Sequence, residues 1–600
     1  MAANEIIFQQ VLDLIPQQPP FRFIDEILAI DERRISAAYR FKENEYFYAG
    51  HFPGNPVTPG VILIEAMAQT GVVAMGIYQL LRRGVGPEKL RQMTTLFALA
   101  DSIEFFAPVV PGERVITHGE LVYLRQGSLK AKTRITRESG EIVCAGVLTG
   151  AGVTGQQRVN IPELLINKHQ ESQLMKRRVV VTGMGVVSPN GIGLKNFEIA
   201  LRSGKSGIRF MPELERLKFA CQIGGVPENF EKFWINAMGG NPVDSPGDNI
   251  AYASLAALSA WKDAGLPVAG DDDPADWDTG TIFGCGICGM ETIANTVVPM
   301  VNAGNVRRLG SQTVERVMAS GISAHVGGLL GLGNQVTSNS AACSTGTEAV
   351  IEAAQRIRAG LARRMVVGGA EGASPYTWAG FDAMRVLARK FNDQPGKGSR
   401  PMSADACGFV PGAGAGALVL EDLESAQSRG CRIYAEIAGG MVNCGGQRSG
   451  GSMTAPNPQG VVRCIQGALK NAGITADAID AINGHLTATF ADPYEVKNWA
   501  KALHRGPADF PVINSTKSMI GHCLGAAGAI ETVAAILQIY KGFVHPSVNC
   551  EDIHPEIREF EAAIPRTCRD VPELATLAKA CFGFGDVNSC LIIQKWTPKA

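Results

Sequence analysis

A chain of 600 residues exceeds the roughly 250–300 that one hydrophobic core can organise, so at least two domains are expected. With 46% hydrophobic and 19% charged residues and a net charge of −1, the composition is that of an ordinary globular protein. It excludes bulk electrostatic binding to nucleic acid or an anionic membrane, while leaving room for a local basic patch that would meet an acidic carrier.

The opening Met1-Ala2-Ala3-Asn4-Glu5 has no basic segment followed by an apolar run, so no secretory signal is expected. The 14 cysteines are scattered through a long chain, which fits free thiols in a reducing cytoplasm. Residues 1–150 read as one α+β domain: a short amphipathic start, a proline-rich turn at 16–20, and an apolar helix from about 60 to 81. Strand candidates follow at 101–106, 115–124, 129–137 and 141–149, parted by Pro108, Pro111-Gly112, Gln126-Gly127 and Ser139-Gly140. The apolar helix is long enough to span a bilayer, but Glu65 and Gln69 would sit in hydrocarbon without partners. A helix buried inside a sheet, aiming one carboxylate into a site, fits better, and no integral membrane span is expected.

Gly50-His51-Phe52-Pro53-Gly54, Pro59-Gly60-Val61 and Glu65-Ala66-Met67-Ala68-Gln69 place an imidazole and a carboxyl group in one short region. Removing water from a 3-hydroxyacyl thioester needs a base for the α-proton and an acid for the departing hydroxyl. His51 and Glu65 can share that work, since a carboxyl group in apolar surroundings stays protonated more readily. The amide of Gly60, at the helix N-terminus, can polarise the thioester carbonyl. These motifs, with Pro20-Phe21, Asp25, Phe106, Pro108 and Pro111-Gly112, resemble the hot-dog-fold 3-hydroxyacyl-[acyl carrier protein] dehydratases over nearly the whole first domain. The resemblance implies a site built across two copies. Glu65, where the isomerising branch of that family carries Asp, points to plain dehydration.

Residues 151–176 turn polar and read as a linker. Met175-Lys176-Arg177-Arg178 then leads into Val179-Val180-Val181-Thr182-Gly183, a buried-strand signature, and strand and helix patterns alternate through 177–600. Arg432-Ile433-Tyr434-Ala435-Glu436 repeats that kind of start, suggesting two related halves. Cys343 precedes Ser344-Thr345-Gly346, read as a helix start, where the free N–H groups favour a thiolate. Neutral His485 and His522 could donate hydrogen bonds to a thioester oxygen as carbon dioxide leaves a malonyl group.

Ala342-Cys343-Ser344-Thr345-Gly346, Asn483-Gly484-His485-Leu486-Thr487-Ala488-Thr489, Ser515-Thr516-Lys517-Ser518-Met519-Ile520-Gly521-His522 and Phe582-Gly583-Phe584-Gly585 together resemble the elongating type II β-ketoacyl-[acyl carrier protein] synthases. The resemblance implies an α/β thiolase-like domain, two related βαβ halves in an α-β-α-β-α layering. It also implies roles. Cys343 takes the acyl chain and His485 and His522 promote decarboxylation. Lys517 orders the site as the ion-pair partner of Glu495. The amides of Cys343 and Phe584 form an oxyanion hole, Phe584 gates the acyl pocket, and Thr487 and Thr489 hold the phosphopantetheine arm.

Two departures stand out. Leu486 replaces the family's Gly, which puts a bulky side chain beside His485, and Asp586-Val587 replaces Gly-Thr after the gate. Gly284-Cys285-Gly286-Ile287-Cys288-Gly289 matches GxGxxG but lacks an early βαβ position and a downstream acidic residue, so no nicotinamide cofactor is expected. Its CxxC has no second pair at metal spacing, and no metal is expected. The expectation is a bifunctional enzyme, condensing on one domain and dehydrating on the other, with substrates on the 4'-phosphopantetheine of an acyl carrier protein. No reductase signature is present, so a separate ketoreductase is expected, in fatty acid, polyene or related polyketide biosynthesis. A homodimer is expected because both folds commonly pair. The alternatives are a hot-dog domain that serves only as a dimerisation scaffold, or a hot-dog thioesterase.

Overall fold

The computed structural model describes residues 3–91, 93–125, 128–154, 177–238, 247–270 and 272–598. The chain divides into two compact units, Met1–Gln173 and Leu174–Ala600. The expected linker at 151–176 falls from residue 155 onward outside the described residues. Its start needs correction, because a strand runs through Thr154.

In the first unit six antiparallel strands, β1 (Glu26–Ile30), β2 (Arg34–Arg40), β3 (Met93–Phe105), β4 (Arg114–Arg125), β5 (Ser128–Arg137) and β6 (Ile142–Thr154), pair in the order β1-β2-β4-β5-β6-β3. β3 begins eight residues before the expected strand, since its first half, Met93-Thr94-Thr95-Leu96-Phe97-Ala98-Leu99-Ala100, has no polar–apolar alternation to mark it. The sheet wraps a continuous helix from Gly60 to Arg82, which contains one π turn at Gln69–Ala74. Its 23 residues are apolar enough to cross a membrane, yet they form the core of this unit, with Leu63, Ala66, Met67 and Ala74 packed on Val115, Ala131 and Val143. Burial against a sheet satisfies the same hydrophobic demand as lipid would.

The main sheet of the second unit contains β7 (Val179–Ser188), β8 (Thr279–Gly284), β9 (Val336–Thr337), β10 (Arg364–Glu371) and β11 (Gly414–Asp422). It continues in β12 (Ala435–Cys444), β13 (Ala481–Asn483), β14 (Val512–Asn514), β15 (Thr576–Gly583) and β16 (Val587–Lys595). The spatial order is β9-β8-β10-β11-β7-β12-β16-β15-β13-β14. Read outward from the β7–β12 junction, the two halves have the same order, first, fifth, fourth, second and third strand. They also share the same sense, parallel among the outer three and antiparallel for the rest. The two similar strand starts seen in the sequence thus open two topologically equivalent halves.

Two helices, Thr345–Arg358 and Ala527–Lys541, contact both halves of the sheet and form the middle layer, while Asp248–Asp263 and Pro458–Ala472 cover the outer faces. The middle helices cross closely at equivalent glycines. A Cβ on Gly346 would lie 2.4 Å from the Ala529 nitrogen, and one on Gly528 would lie 2.5 Å from the Thr347 nitrogen. No larger residue fits either position without moving backbone. This crossing brings both helix N-termini to one place, and the functional side chains gather there.

Candidate active sites

In the first unit, the loop before the core helix holds His51. Its Nδ1 lies 2.9 Å from the Val57 carbonyl, which fixes the proton on Nδ1 and leaves the Nε2 lone pair free. Buried Tyr48 and Thr58, 2.6 Å apart through their hydroxyls, fasten the two ends of this loop. Gly60 is the first helical residue, and a Cβ there would sit 2.9 Å from the Phe105 ring, so only glycine leaves this helix end open. Glu65 is half-buried one turn further on. Its Oε1 accepts from Gln69 Nε2 at 2.8 Å, and Gln69 is itself fixed by Phe21 O at 2.8 Å and Phe23 N at 2.7 Å. Gln69 therefore orients the carboxyl group, a role its i,i+4 spacing from Glu65 could have signalled. No hydrogen bond joins His51 to Glu65 among the described residues.

In the second unit, Cys343 lies in a 3₁₀ turn before Thr345–Arg358, and His522 lies in the equivalent approach to Ala527–Lys541. His485 follows β13. The Sγ of Cys343 and the ring nitrogens of the two histidines fall within 4.8 Å of one another, and His522 Nε2 is 3.0 Å from Sγ. Leu524 N–H points at His522 Nδ1 at 3.3 Å, so the neutral ring carries its proton on Nε2, toward the sulfur. The Nδ1 of His485 is buried with no partner among the described residues, and its ring stands against that of His522, centroids 5.3 Å apart. Burial first, and then the cation of Lys517, hold both histidines well below their ordinary range.

Burial also pushes the Cys343 thiol up to about 12, outweighing Lys517 and the Phe584 N–H that reaches the sulfur. The expectation of a thiolate made by the helix N-terminus is corrected here: at rest, desolvation wins. The Phe584 amide lies at the sulfur, and a Cβ on Gly583 would be 3.0 Å from the Cys343 nitrogen, so the backbones of the two residues run side by side here. Thr487 and Thr489 hydroxyls are 3.0 Å apart and line the same cavity, of about 750 Å³, with Phe381, Phe409, Phe582 and Phe584.

The expected Lys517–Glu495 pair is not formed. Lys517 Nζ meets Glu531 Oε1 at 2.5 Å in a site where both are buried. The Glu495 carboxylate instead accepts the N–H groups of His485 at 2.7 Å and Leu486 at 2.8 Å, holding the turn that presents His485. Burial raises Glu495 to about 7 against those two hydrogen bonds. Sequence reasoning missed Glu531, although a carboxylate in the apolar run Ala526-Ala527-Gly528-Ala529-Ile530-Glu531-Thr532-Val533-Ala534 was a visible anomaly.

The two departures also resolve. Leu486, fully buried, turns into the cluster of Ile482, Val496 and Trp499 instead of crowding the site. Asp586 binds the loop between β15 and β16 to a second loop, its carboxylate accepting from Gln447 N at 2.9 Å and Asn457 N at 2.8 Å. Gly585 N donates to Met453 O and Gly445 N to Asp586 O, at 2.8 and 3.0 Å. The GxGxxG loop is occupied by a carboxylate of the chain itself: Gly286 and Ile287 N–H groups meet Glu371 at 2.9 and 3.1 Å.

Comparison with known families matches residues 176–426 to the β-ketoacyl synthase N-terminal domain and 434–551 to its C-terminal domain. The chain belongs to the β-ketoacyl synthase family. Residues 15–145 match a FabA-like domain, so a ketosynthase and a hot-dog dehydratase domain share this polypeptide. The chain is 37% identical over 434 residues to 3-oxoacyl-[acyl-carrier-protein] synthase 2 of Rhizobium meliloti, covering 70% of this chain and 99% of the relative. The same-named protein of Vibrio cholerae is 34% identical over 430 residues, 70% of this chain and 100% of the relative. A solved β-ketoacyl synthase from Burkholderia phymatum superposes with a TM-score of 0.64 at 30% identity, and the complex AntDE:AntF with 0.62 at 28%. Each covers 70% of this chain and 100% of the matched one. The latter is described as a type II PKS acyl-carrier protein in complex with its ketosynthase, bound to the hexaketide. The thiolase-like and hot-dog architectures are those of these families.

Proposed function

We propose that the ketosynthase domain condenses malonyl-carrier thioesters with an acyl chain held on Cys343, and that the FabA-like domain dehydrates 3-hydroxyacyl-carrier thioesters to trans-2-enoyl products. The observation that carries the first reading is the convergence of one thiol and two neutral imidazoles in an apolar cavity. The Nε2–H of His522 and an N–H of His485 would donate to the malonyl thioester oxygen. Loss of carbon dioxide then leaves an enolate stabilised by both. Its carbon attacks the Cys343 thioester, the new oxyanion rests on the amides of Cys343 and Phe584, and the Cys343 sulfur departs to regain a proton. Thr487 and Thr489 hold the phosphopantetheine arm, and Phe584 gates the acyl pocket.

In the dehydratase domain, His51 Nε2 removes the α-proton while Glu65, oriented by Gln69, protonates the leaving hydroxyl, and the Gly60 amide polarises the carbonyl. His51 and Glu65 would meet across a pair of chains, which favours a homodimer. An acyl carrier protein is the partner, a separate ketoreductase supplies the hydroxyl, and the products belong to fatty acid, polyene or related polyketide synthesis in the cytoplasm.

Intact-mass analysis of carrier-bound chains tests this directly. Purified protein is expected to remove one water from a 3-hydroxyacyl carrier, and His51→Ala to abolish only that reaction. It is expected to add two carbons to an acyl carrier given malonyl carrier, and Cys343→Ala to abolish only this one. Dehydration surviving His51→Ala would sink the first assignment, free acid release would identify a thioesterase, and silence at one domain over several chain lengths would leave that domain a scaffold.

A further inference from the structure

Glu531 serves two lysines, not one. Lys517 holds its Oε1, and Lys579, on β15, holds its Oε2 at 2.8 Å. All three side chains are almost wholly shielded from solvent, at 1%, 0% and 0% exposure for Lys517, Lys579 and Glu531. The three ammonium protons of Lys579 are all engaged, by Glu531 Oε2, by Ala580 O at 2.5 Å and by the Cys581 sulfur at 3.0 Å. It has no proton directed at a substrate, so its contribution is charge. Two buried cations against one carboxylate leave the cluster with an excess positive charge, set just before the Phe582-Gly583-Phe584 segment of the cavity.

We infer that Lys579 is a positioning residue of the condensation site, the second buried cation that keeps His485 and His522 neutral so that both remain N–H donors. This rests on the donor reading of the two histidines given above. An imidazole gains a proton less readily beside a fixed positive charge in a site without water to screen it. The groups facing the pair are Lys517 and Lys579, each opposing protonation, and Glu531, which favours it but is shared by both lysines. Cys343 lies against His522, and Cys581 lies beside Lys579. Glu495 takes the His485 backbone N–H, and Glu371 takes that of Gly525 after His522. Desolvation lowers both histidines first and the Lys517 charge next, and the Lys579 charge adds to these in the same direction. The ammonium of Lys579 is retained in spite of burial because Cys581 and Glu531 hold it charged.

The test uses the full chain with isotope-labelled histidine, titrated by NMR, together with the pH profile of condensation from malonyl carrier. In the wild type both ring signals should stay neutral through pH 6. Lys579→Met and Lys579→Gln should raise both titrations by about one pH unit and move the acidic limb of condensation up by the same amount. Lys579→Arg, which keeps the charge, should restore the wild-type limb. Gln keeps polar contact with Glu531 should the Met variant not fold. Wild-type histidines titrating at or above the ordinary 6.5, an unmoved limb in a folded neutral variant, or an Arg variant that behaves like Met would each overturn the inference. Condensation that survives His485→Ala and His522→Ala would instead remove the donor reading, while the NMR shifts would still report on Lys579.

Discussion

The sulfur of Cys343 is a buried thiol at rest, pushed up to about 12 chiefly by desolvation. Its alkylation by iodoacetamide is therefore expected to accelerate about tenfold per unit from pH 7 to 9, with no plateau. A plateau near neutrality would mean a standing thiolate. Glu531 gives a second prediction. Glu531→Gln strands two buried ammonium groups and should cost about 3–5 kcal/mol in chemical denaturation, whereas Glu495→Gln keeps the Lys517 pair and should cost less. Cys343, His485, His522, His51 and Glu65 stood out in the sequence because each sits in a short stretch that resembles a family motif as a whole. The partner of Lys517 was not. Glu495 lies ten positions after His485, but only the folded middle helix brings Glu531 to the lysine. The effect of Leu486 was equally hidden, since side-chain direction depends on a backbone turn with φ of 22°.

The loop between β15 and β16 is tied by Asp586 to the loop at 445–457, and the two should move together. Asp586→Ala removes the acceptor for two amides. Limited proteolysis is expected to open new cuts within 445–457, and product profiles to spread to longer chains. Unchanged cleavage and unchanged products would show the tie to be inert. At the helix crossing, Gly346→Ala should destabilise the ketosynthase domain by roughly 1–3 kcal/mol, because the added methyl group meets backbone. In the smaller sheet the core helix, β4, β5, β6 and the second half of β3 could be read from turn residues and apolar runs, whereas the bounds of β1 and β2 could not. The strand order of the larger sheet could not, because parallel neighbours are brought together by crossovers whose lengths carry no address. Only the similar starts of β7 and β12 hinted at duplication.

For the whole molecule, all six tryptophans lie after residue 177, so their fluorescence reports the ketosynthase domain alone. Two sets of buried groups make its stability depend on pH in opposite senses. Burial raises Glu371 and Glu495 to about 7 and Asp492 to about 6, so the folded state holds extra protons there, and stability from these groups declines as pH rises from about 4, where the unfolded carboxyls ionise, to 6–7. Burial lowers His485, His522 and His545, the last to about 4, so the unfolded state binds more protons there and stability falls as pH drops below 6.5. The two slopes oppose each other between pH 5 and 7, where urea midpoints by tryptophan fluorescence should be nearly flat. Below pH 4.5 stability should drop. Glu421, which burial alone would raise, is held down to about 2 by Arg429 and Arg364, and must then be protonated. A steep slope across pH 5–7 would contradict this balance.

The thiol–imidazole centre borrows from both halves of the sheet, and the Phe584 amide beside the sulfur comes from the hairpin of β15 and β16. During synthesis on the ribosome, Cys343 is made some 240 residues before that hairpin, counting from 343 to 584. A nascent or truncated chain thus carries Cys343 before Phe584 is beside it. Burial of the thiol arrives only with folding, so the newborn chain carries this sulfur as an ordinary exposed cysteine and the finished domain carries it shielded.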